Sequence, residues 1–259
     1  MPHTSCVAAR AFLLVAVSLL LSGCVTSTKY KMAKDNTPPP QPLGWTVAAS
    51  PAELTLATVI VFKGPGSWKR EARWDEYVVR ITNRGDKPLT IDSATLVDVL
   101  GQPQLPGYDP WQLEKLSRTN WEKYGKTGLK LFAGAGAVAL YVGASYAAAT
   151  SSLMAGPGAA AGGAAALTVI PLIAVIDIGV VAIMNHNNKV AVQTEFARRR
   201  LKLPLTISPG SNAEGSLFFP MTPGPQRLVV KGRSGDTPFE LVLDLKPLAG
   251  LHLDWATKK

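Results

Sequence analysis

Residues Leu131 to Asn188 make a run of 58 positions in which Asp177 is the only formally charged side chain. A stretch this apolar must be covered by protein or placed in lipid, so it constrains the fold more than any other part of the chain. Phe132–Thr150 is helix-length and rich in small residues, and Ala135, Ala139, Gly143 and Ala147 recur every fourth position. That spacing lays a smooth stripe along one helix face, which lets a second helix approach closely. Ala155-Gly156-Pro157-Gly158 supplies a turn. Ala164 to Met184 then offers a second helix, near the ~20 residues that cross ~30 Å of hydrocarbon. Pro171 kinks this helix or marks its effective start. Asp177 within it is either an intramembrane acid facing other copies of the hairpin, or a partly wet group at a helix boundary after the proline.

The two segments together resemble glycine-zipper membrane hairpins, which implies self-association through the Ala135/Ala139/Gly143/Ala147 stripe. Lys123, Lys126 and Lys130 precede the hairpin, and Lys189, Arg198, Arg199, Arg200 and Lys202 follow it. Cations on such flanks reach lipid phosphates. In an inner membrane they would oppose the positive-inside tendency; the outer membrane presents no such conflict. The first helix is mostly Ala and Gly, however, and gains little on entering lipid. A soluble hairpin stacked on the rest of the protein, or buried in an oligomer, therefore stands beside insertion.

On either side of this region the hydrophobic pattern has period two. Glu53–Phe62 alternates Leu54, Leu56, Ile60 and Phe62 on one face, and Tyr77–Asn83 repeats the pattern. An Asn-Arg-Gly-Asp turn leads into Pro88–Ile91 and then Ala94–Leu100. Strand signals return at Leu201–Ser208, Glu214–Phe219, Arg227–Lys231 and Phe239–Leu245. Seven to nine short strands punctuated by Gly, Pro and Asn fit one β-sandwich and are too few for two. The run Ile81–Ile91 and the later Ser208-Pro209-Gly210 turn before Gly215–Pro220 are similar to the immunoglobulin-like accessory domains of exported bacterial proteins. That resemblance implies a scaffolding or binding role and names no ligand.

Asp109, Pro110 and Gln112 form a helix start, with an N-cap, a proline at N1 and a capping-box partner. The helix Trp111–Tyr124 groups Leu113, Leu116, Trp121 and Tyr124 near one face. Such a face suits a membrane surface or packs on the sandwich.

At the N-terminus, the apolar run Ala11–Leu21 is too short to span a bilayer and has the layout of a secretory signal. Leu21-Ser22-Gly23-Cys24 resembles the lipobox of bacterial lipoproteins. The resemblance implies cleavage between Gly23 and Cys24, a diacylglyceryl group on the Cys24 thiol and acylation of the new amino group. Val25, in place of an aspartate, implies the outer membrane facing the periplasm. Loss of Arg10 with the signal leaves a net charge of +8, a plain match for anionic head groups. Thr26–Gly44 is polar and proline-rich and reads as a tether.

Catalytic chemistry finds little support. Gly134–Ala139 fits a loose dinucleotide pattern but lies inside an Ala/Gly helix with no preceding strand. Gly125-Lys126-Thr127 lacks the first glycine of a phosphate loop, Asn120 standing in its place. His186 and His252 are far apart, without ligand or triad spacing; His186, in the patch Asn185–Asn188, reads as an interfacial cap. We therefore expect no enzyme, no catalytic, cofactor-binding or metal-ligating residues, no small-molecule substrate and no nucleic acid partner.

The expected fold is mainly β with an α insertion: an immunoglobulin-like sandwich interrupted by an amphipathic helix and the hairpin. Its parts are signal 1–23, lipidated Cys24 and tether 24–44, first β block 45–107, helical insertion 108–200 with the apolar hairpin 131–188, and second β block 201–259. The expected protein is an outer-membrane lipoprotein: either a self-associating structural or assembly component of the envelope, held by Cys24 and the hairpin, or a periplasmic protein-binding module anchored only by the lipid on Cys24, with the hairpin buried in the protein.

Overall fold

The computed structural model describes residues 31–33, 40, 42–132, 134 and 187–254. Gly23, Cys24, the stripe Ala135/Ala139/Gly143/Ala147, Pro171, Asp177 and His186 lie outside the described residues, as does nearly all of the apolar hairpin. The two β blocks form nine strands: β1 Trp45–Ala49, β2 Ala52–Ile60, β3 Asp75–Asn83, β4 Leu89–Val97, β5 Pro103–Gln104, β6 Leu205–Ile207, β7 Asn212–Phe219, β8 Arg227–Ser234 and β9 Thr237–Asp244. Helix α1 covers Pro110–Lys126, and residues 187–199 form helix α2.

Two antiparallel sheets result. One has the order β1-β2-β3-β7; the other has β5-β4-β8-β9, with β6 also paired to β4. Each sheet takes strands from both blocks, so the chain before the insertion and the chain after it build one sandwich. Alternate residues face inward and form a single core, including Leu54, Leu56, Tyr77, Val79, Leu89, Leu96, Phe219, Leu228, Val230 and Leu241.

Two register shifts explain where the strands depart from the alternation read in the sequence. Between Leu56 and Thr58 the pairing slips, and the inward positions change from Leu54 and Leu56 to Val59 and Val61. Ile60 and Phe62, expected to continue the Leu54/Leu56 face, therefore fall outside this core. A second shift between Ile91 and Ser93 moves the inward set from Leu89 and Ile91 to Ala94 and Leu96. The segments read as two strands are one strand, β4, with a bulge that lets both halves face the core. The short strands β1 and β5, of five and two residues, sit beside β2 and β4 and are too brief to show an alternation in the sequence.

Helix α1 starts as its sequence implies: the Asp109 carboxylate accepts the Trp111 and Gln112 amides at 2.9 and 2.8 Å, with Pro110 in the first turn. Its buried side is Pro110, Leu113, Glu114, Ser117, Asn120 and Tyr124, packed on the sandwich. Leu116 is 42% exposed and Trp121 half-buried under Arg73, so the face drawn from hydrophobicity is rotated from the one that packs. The rotation has a cause. Met221 follows the end of β7, and its backbone N–H donates to the Ser117 hydroxyl at 2.9 Å. Its carbonyl accepts the Asn120 amide at 3.0 Å. Polar helix residues thus replace a strand partner where the sheet stops, and a buried backbone without them would cost free energy. Among the described residues no helix is long and apolar enough to cross a membrane.

Candidate functional site

Two neighbouring carboxylates at the start of β3 hold the two ends of the insertion. Side chains alternate along a strand, so Asp75 and Glu76 point to opposite faces of the sheet. Both are fully buried.

Asp75 holds the entry. Its Oδ2 lies 2.8 Å from His252 Nε2, and neither side chain is exposed. His252 Nδ1 accepts the Gly134 amide at 3.3 Å, which leaves Nε2 to carry the proton and donate to Asp75. The His252 carbonyl accepts the Phe132 amide at 2.9 Å, the Lys130 carbonyl accepts the Asp254 amide at 2.8 Å, and Leu131 bridges Leu253. Residues 130–132 and Gly134 are thereby laid against the segment 252–254. Asp75 Oδ1 and the Tyr77 hydroxyl are buried without a partner among the described residues. Burial, and then the Asp75 charge, push the Tyr77 hydroxyl well above its ordinary pKa.

Glu76 holds the exit. It accepts from Trp68 Nε1 at 2.5 Å and from the Ser216 hydroxyl at 2.6 Å, and Arg199 Nη1 of α2 approaches at 3.4 Å. Arg199 Nε also donates to Glu195 at 2.6 Å, and Arg198 binds the same carboxylate. The hydrogen bond from Arg198, assisted by Arg199, holds the Glu195 carboxyl down at about 2 against the opposing effect of burial. Apolar contacts complete the joint: Phe196 stacks on Phe218 at 4.1 Å, while Trp74 meets both rings edge-on.

Lys69 is 2% exposed and interacts electrostatically with both carboxylates, Asp75 and Glu76. Its ammonium donates to the Trp74 carbonyl at 2.5 Å and sits 4.2 Å from the centre of the Trp74 ring. Burial lowers its pKa to about 8, although Asp75, Glu76 and Glu114 all favour the charged form. The same loop receives the N-terminal segment. Met32 bridges Lys69, the Ala33 amide donates to the Trp68 carbonyl at 2.7 Å, and the Arg70 amide donates to the Lys31 carbonyl at 2.8 Å. Part of the stretch read as a free tether is therefore fastened to the sandwich.

The far end of α1 is fixed by a further buried acid. Asp98 accepts the Tyr124 hydroxyl on one oxygen and the Leu100 and Gln102 amides on the other. Burial, then the Asp98 bond, raise the Tyr124 pKa.

The chemistry available here is that of a clamp. Both ring nitrogens of His252 are engaged, and Glu76 is occupied by three donors. Among the described residues no group of three or more His, Cys, Asp or Glu is placed to hold a metal ion. An open groove of about 560 Å³ at the edge of the second sheet is lined by Val97, Arg227, Asp244 and Lys246, among others; it reaches neither Asp75 nor Glu76. Of the residues singled out in the sequence, Lys130, Gly134, Arg198, Arg199 and His252 are placed in this site, with Arg198 and Arg199 turned to the carboxylates of Glu195 and Glu76, while the sequence pattern gives no sign of Asp75 as the partner of His252. A sequence clue to the acids themselves existed: two of them open the apolar strand Asp75–Asn83, directly after the aromatic and basic run Trp68–Trp74. No family model, curated protein or solved structure matches the chain.

Proposed function

We propose that the chain is a lipid-anchored component of a bacterial outer membrane whose sandwich is a rigid mount for a self-associating apolar hairpin. One observation carries this reading: Asp75, through His252, and Glu76, adjacent on β3, fasten the entry limb at 130–132 and Gly134 and the exit helix 187–199 to the same sheet. A segment that merely looped out would not need buried charge on both of its ends. The role is structural and not enzymatic, in keeping with a histidine whose two nitrogens are already used. The immunoglobulin-like reading draws support from strand order. β2, β3 and β7 share one sheet while β4, β8 and β9 share the other, as strands A, B, E and C, F, G do in that fold. The Leu21-Ser22-Gly23-Cys24 motif supports acylation at Cys24, and Val25 supports the outer membrane.

The test exchanges the lipobox signal for an ordinary cleavable one, so that the exported chain begins at Val25 without lipid, and extracts membranes with alkaline carbonate. Retention in the membrane pellet is expected. Release would leave Cys24 as the only anchor and favour a periplasmic binding module whose hairpin is buried in the protein.

A further inference from the structure

The N-terminal segment and the insertion leave the sandwich at the same pole. Residues 31–33 lie beside 68–70, and Lys31 is seven residues after Cys24. At the extended-chain limit of ~3.5 Å per residue, Cys24 stays within roughly 25 Å of Lys31 whatever path the chain takes. The entry limb is at this pole too: a Cβ built on Gly134 would lie 3.2 Å from the Phe62 carbonyl. So is α2, whose Val192 packs with Trp68 and whose Lys189 lies 5.8 Å from the centre of the Trp111 ring.

Three large apolar side chains stand exposed here, Met32 at 36%, Phe132 at 43% and Val190 at 46%. Around them are Lys31, Arg70, Lys130 and Lys189, none of which forms a salt bridge with another described residue. Elsewhere on the sandwich several exposed cations are matched, Arg80 to Glu214 and Arg84 to Glu53, each at 2.7 Å, and Lys231 to Glu240 and Arg233 to Asp92, each at 3.1 Å, while Lys87, Lys202 and Arg227 stand singly and apart from an exposed apolar cluster. Acids stand here as well: Glu71 faces Lys63 at 3.8 Å, and the Asp254 amide is bound to the Lys130 carbonyl.

We propose that this pole is a docking surface for anionic phospholipid head groups. Met32, Phe132 and Val190 enter the boundary between head groups and acyl chains, and Lys31, Arg70, Lys130 and Lys189 meet the phosphates. The inference rests on the lipid-anchored reading and adds an orientation to it, with the β8–β9 turn at Gly235 pointing away from the membrane. Charge complementarity and the short reach from Cys24 both favour a lipid surface as the occupant.

The full lipidated chain, carrying Val190→Cys or Asp236→Cys with a fluorophore on the new thiol, is reconstituted in phosphatidylcholine vesicles with and without phosphatidylglycerol. A nitroxide on the lipid head group serves as quencher. In anionic vesicles the label at 190 is expected to be quenched several-fold more than the label at 236. Added salt, or Lys31→Glu with Arg70→Glu, Lys130→Glu and Lys189→Glu, should shrink the difference in anionic vesicles to that seen in phosphatidylcholine alone, while the protein still floats with the vesicles. Equal quenching at both positions in floated protein, or a difference that ignores both salt and charge reversal, overturns the docking surface and leaves the anchor standing. Protein that does not float removes the lipid-anchored reading and this inference together.

Discussion

Replacing His252 by Leu isolates the energy of the entry clamp. The Asp75 carboxylate is fully buried, and His252 is the partner of its Oδ2, while Oδ1 has none among the described residues. Deleting the imidazole removes the hydrogen bond to this buried carboxylate and leaves Lys69 as its nearby opposite charge, at a cost of about 2–3 kcal/mol. The Gly134 amide also loses its acceptor, about 1 kcal/mol more. With a urea dependence of about 2 kcal/mol per molar, the unfolding midpoint should fall by about 2 M. His252 has φ of 59°, so leucine there adds backbone strain. That strain is present in His252→Leu and again in the double variant with Asp75→Leu, and it cancels in the double-mutant cycle. The cycle should return a coupling of about 2 kcal/mol or more, because the double variant no longer buries a carboxylate stripped of its hydrogen bond. The assay is equilibrium urea unfolding followed by tryptophan fluorescence, with hydrogen exchange at residues 130–134 as the local readout. A coupling below about 0.5 kcal/mol, with exchange at 130–134 unchanged, would refute the clamp.

Glu76→Gln should loosen the exit, since an amide cannot accept as a carboxylate does from Trp68, Ser216 and Arg199. A loss of about 1–3 kcal/mol is expected, read as faster hydrogen exchange across 187–199. Stability should rise with pH from about 8 toward 10, because folded Lys69 releases its proton near 8 while the unfolded lysine keeps its own to a higher pH. Above about pH 10 the trend should reverse, as unfolded tyrosines ionise while Tyr77 and Tyr124, with raised pKa values, stay protonated. Lys69→Met should flatten the rise and keep the fall; denaturation midpoints across this range decide it. Gly232→Ala places a Cβ 2.3 Å from the Thr90 carbonyl, a backbone clash between β8 and β4. A loss of about 1–3 kcal/mol is expected by thermal or urea unfolding, and a neutral result would mean that the two strands separate easily.

The sandwich is legible in the sequence because inward residues repeat every second position. The alternation breaks at the two bulges, where one extra residue reverses the phase near Leu56 and Ile91, and the short strands β1 and β5 leave no alternation to follow. Helix α1 announces itself through Asp109 and Pro110, yet its buried face does not. Hydrophobicity favours Leu116 and Trp121, whereas the end of β7 needs Ser117 and Asn120 for the Met221 backbone. That need is tertiary and leaves no local pattern. Asp75 and His252 stand 177 residues apart, a separation at which spacing says nothing about contact. The isolated histidine was visible in the sequence, and its role was not. Lys69 is similar: it sits among exposed-looking charges, and only the fold shows that Trp74 and the loop enclose it.

The division of each sheet between two distant parts of the chain also sets an order of events. β3 needs β7 on one edge, and β4 needs β8, so neither sheet can close before residues beyond 211 are available. A chain delivered to its compartment from the N-terminus therefore presents the whole apolar segment before its mount exists. Pairings of such long sequence separation form slowly, and exposed apolar surface invites aggregation in the interval. For this protein, the interval between the arrival of Leu131 and that of Phe219 is when it most needs either a membrane or a chaperone.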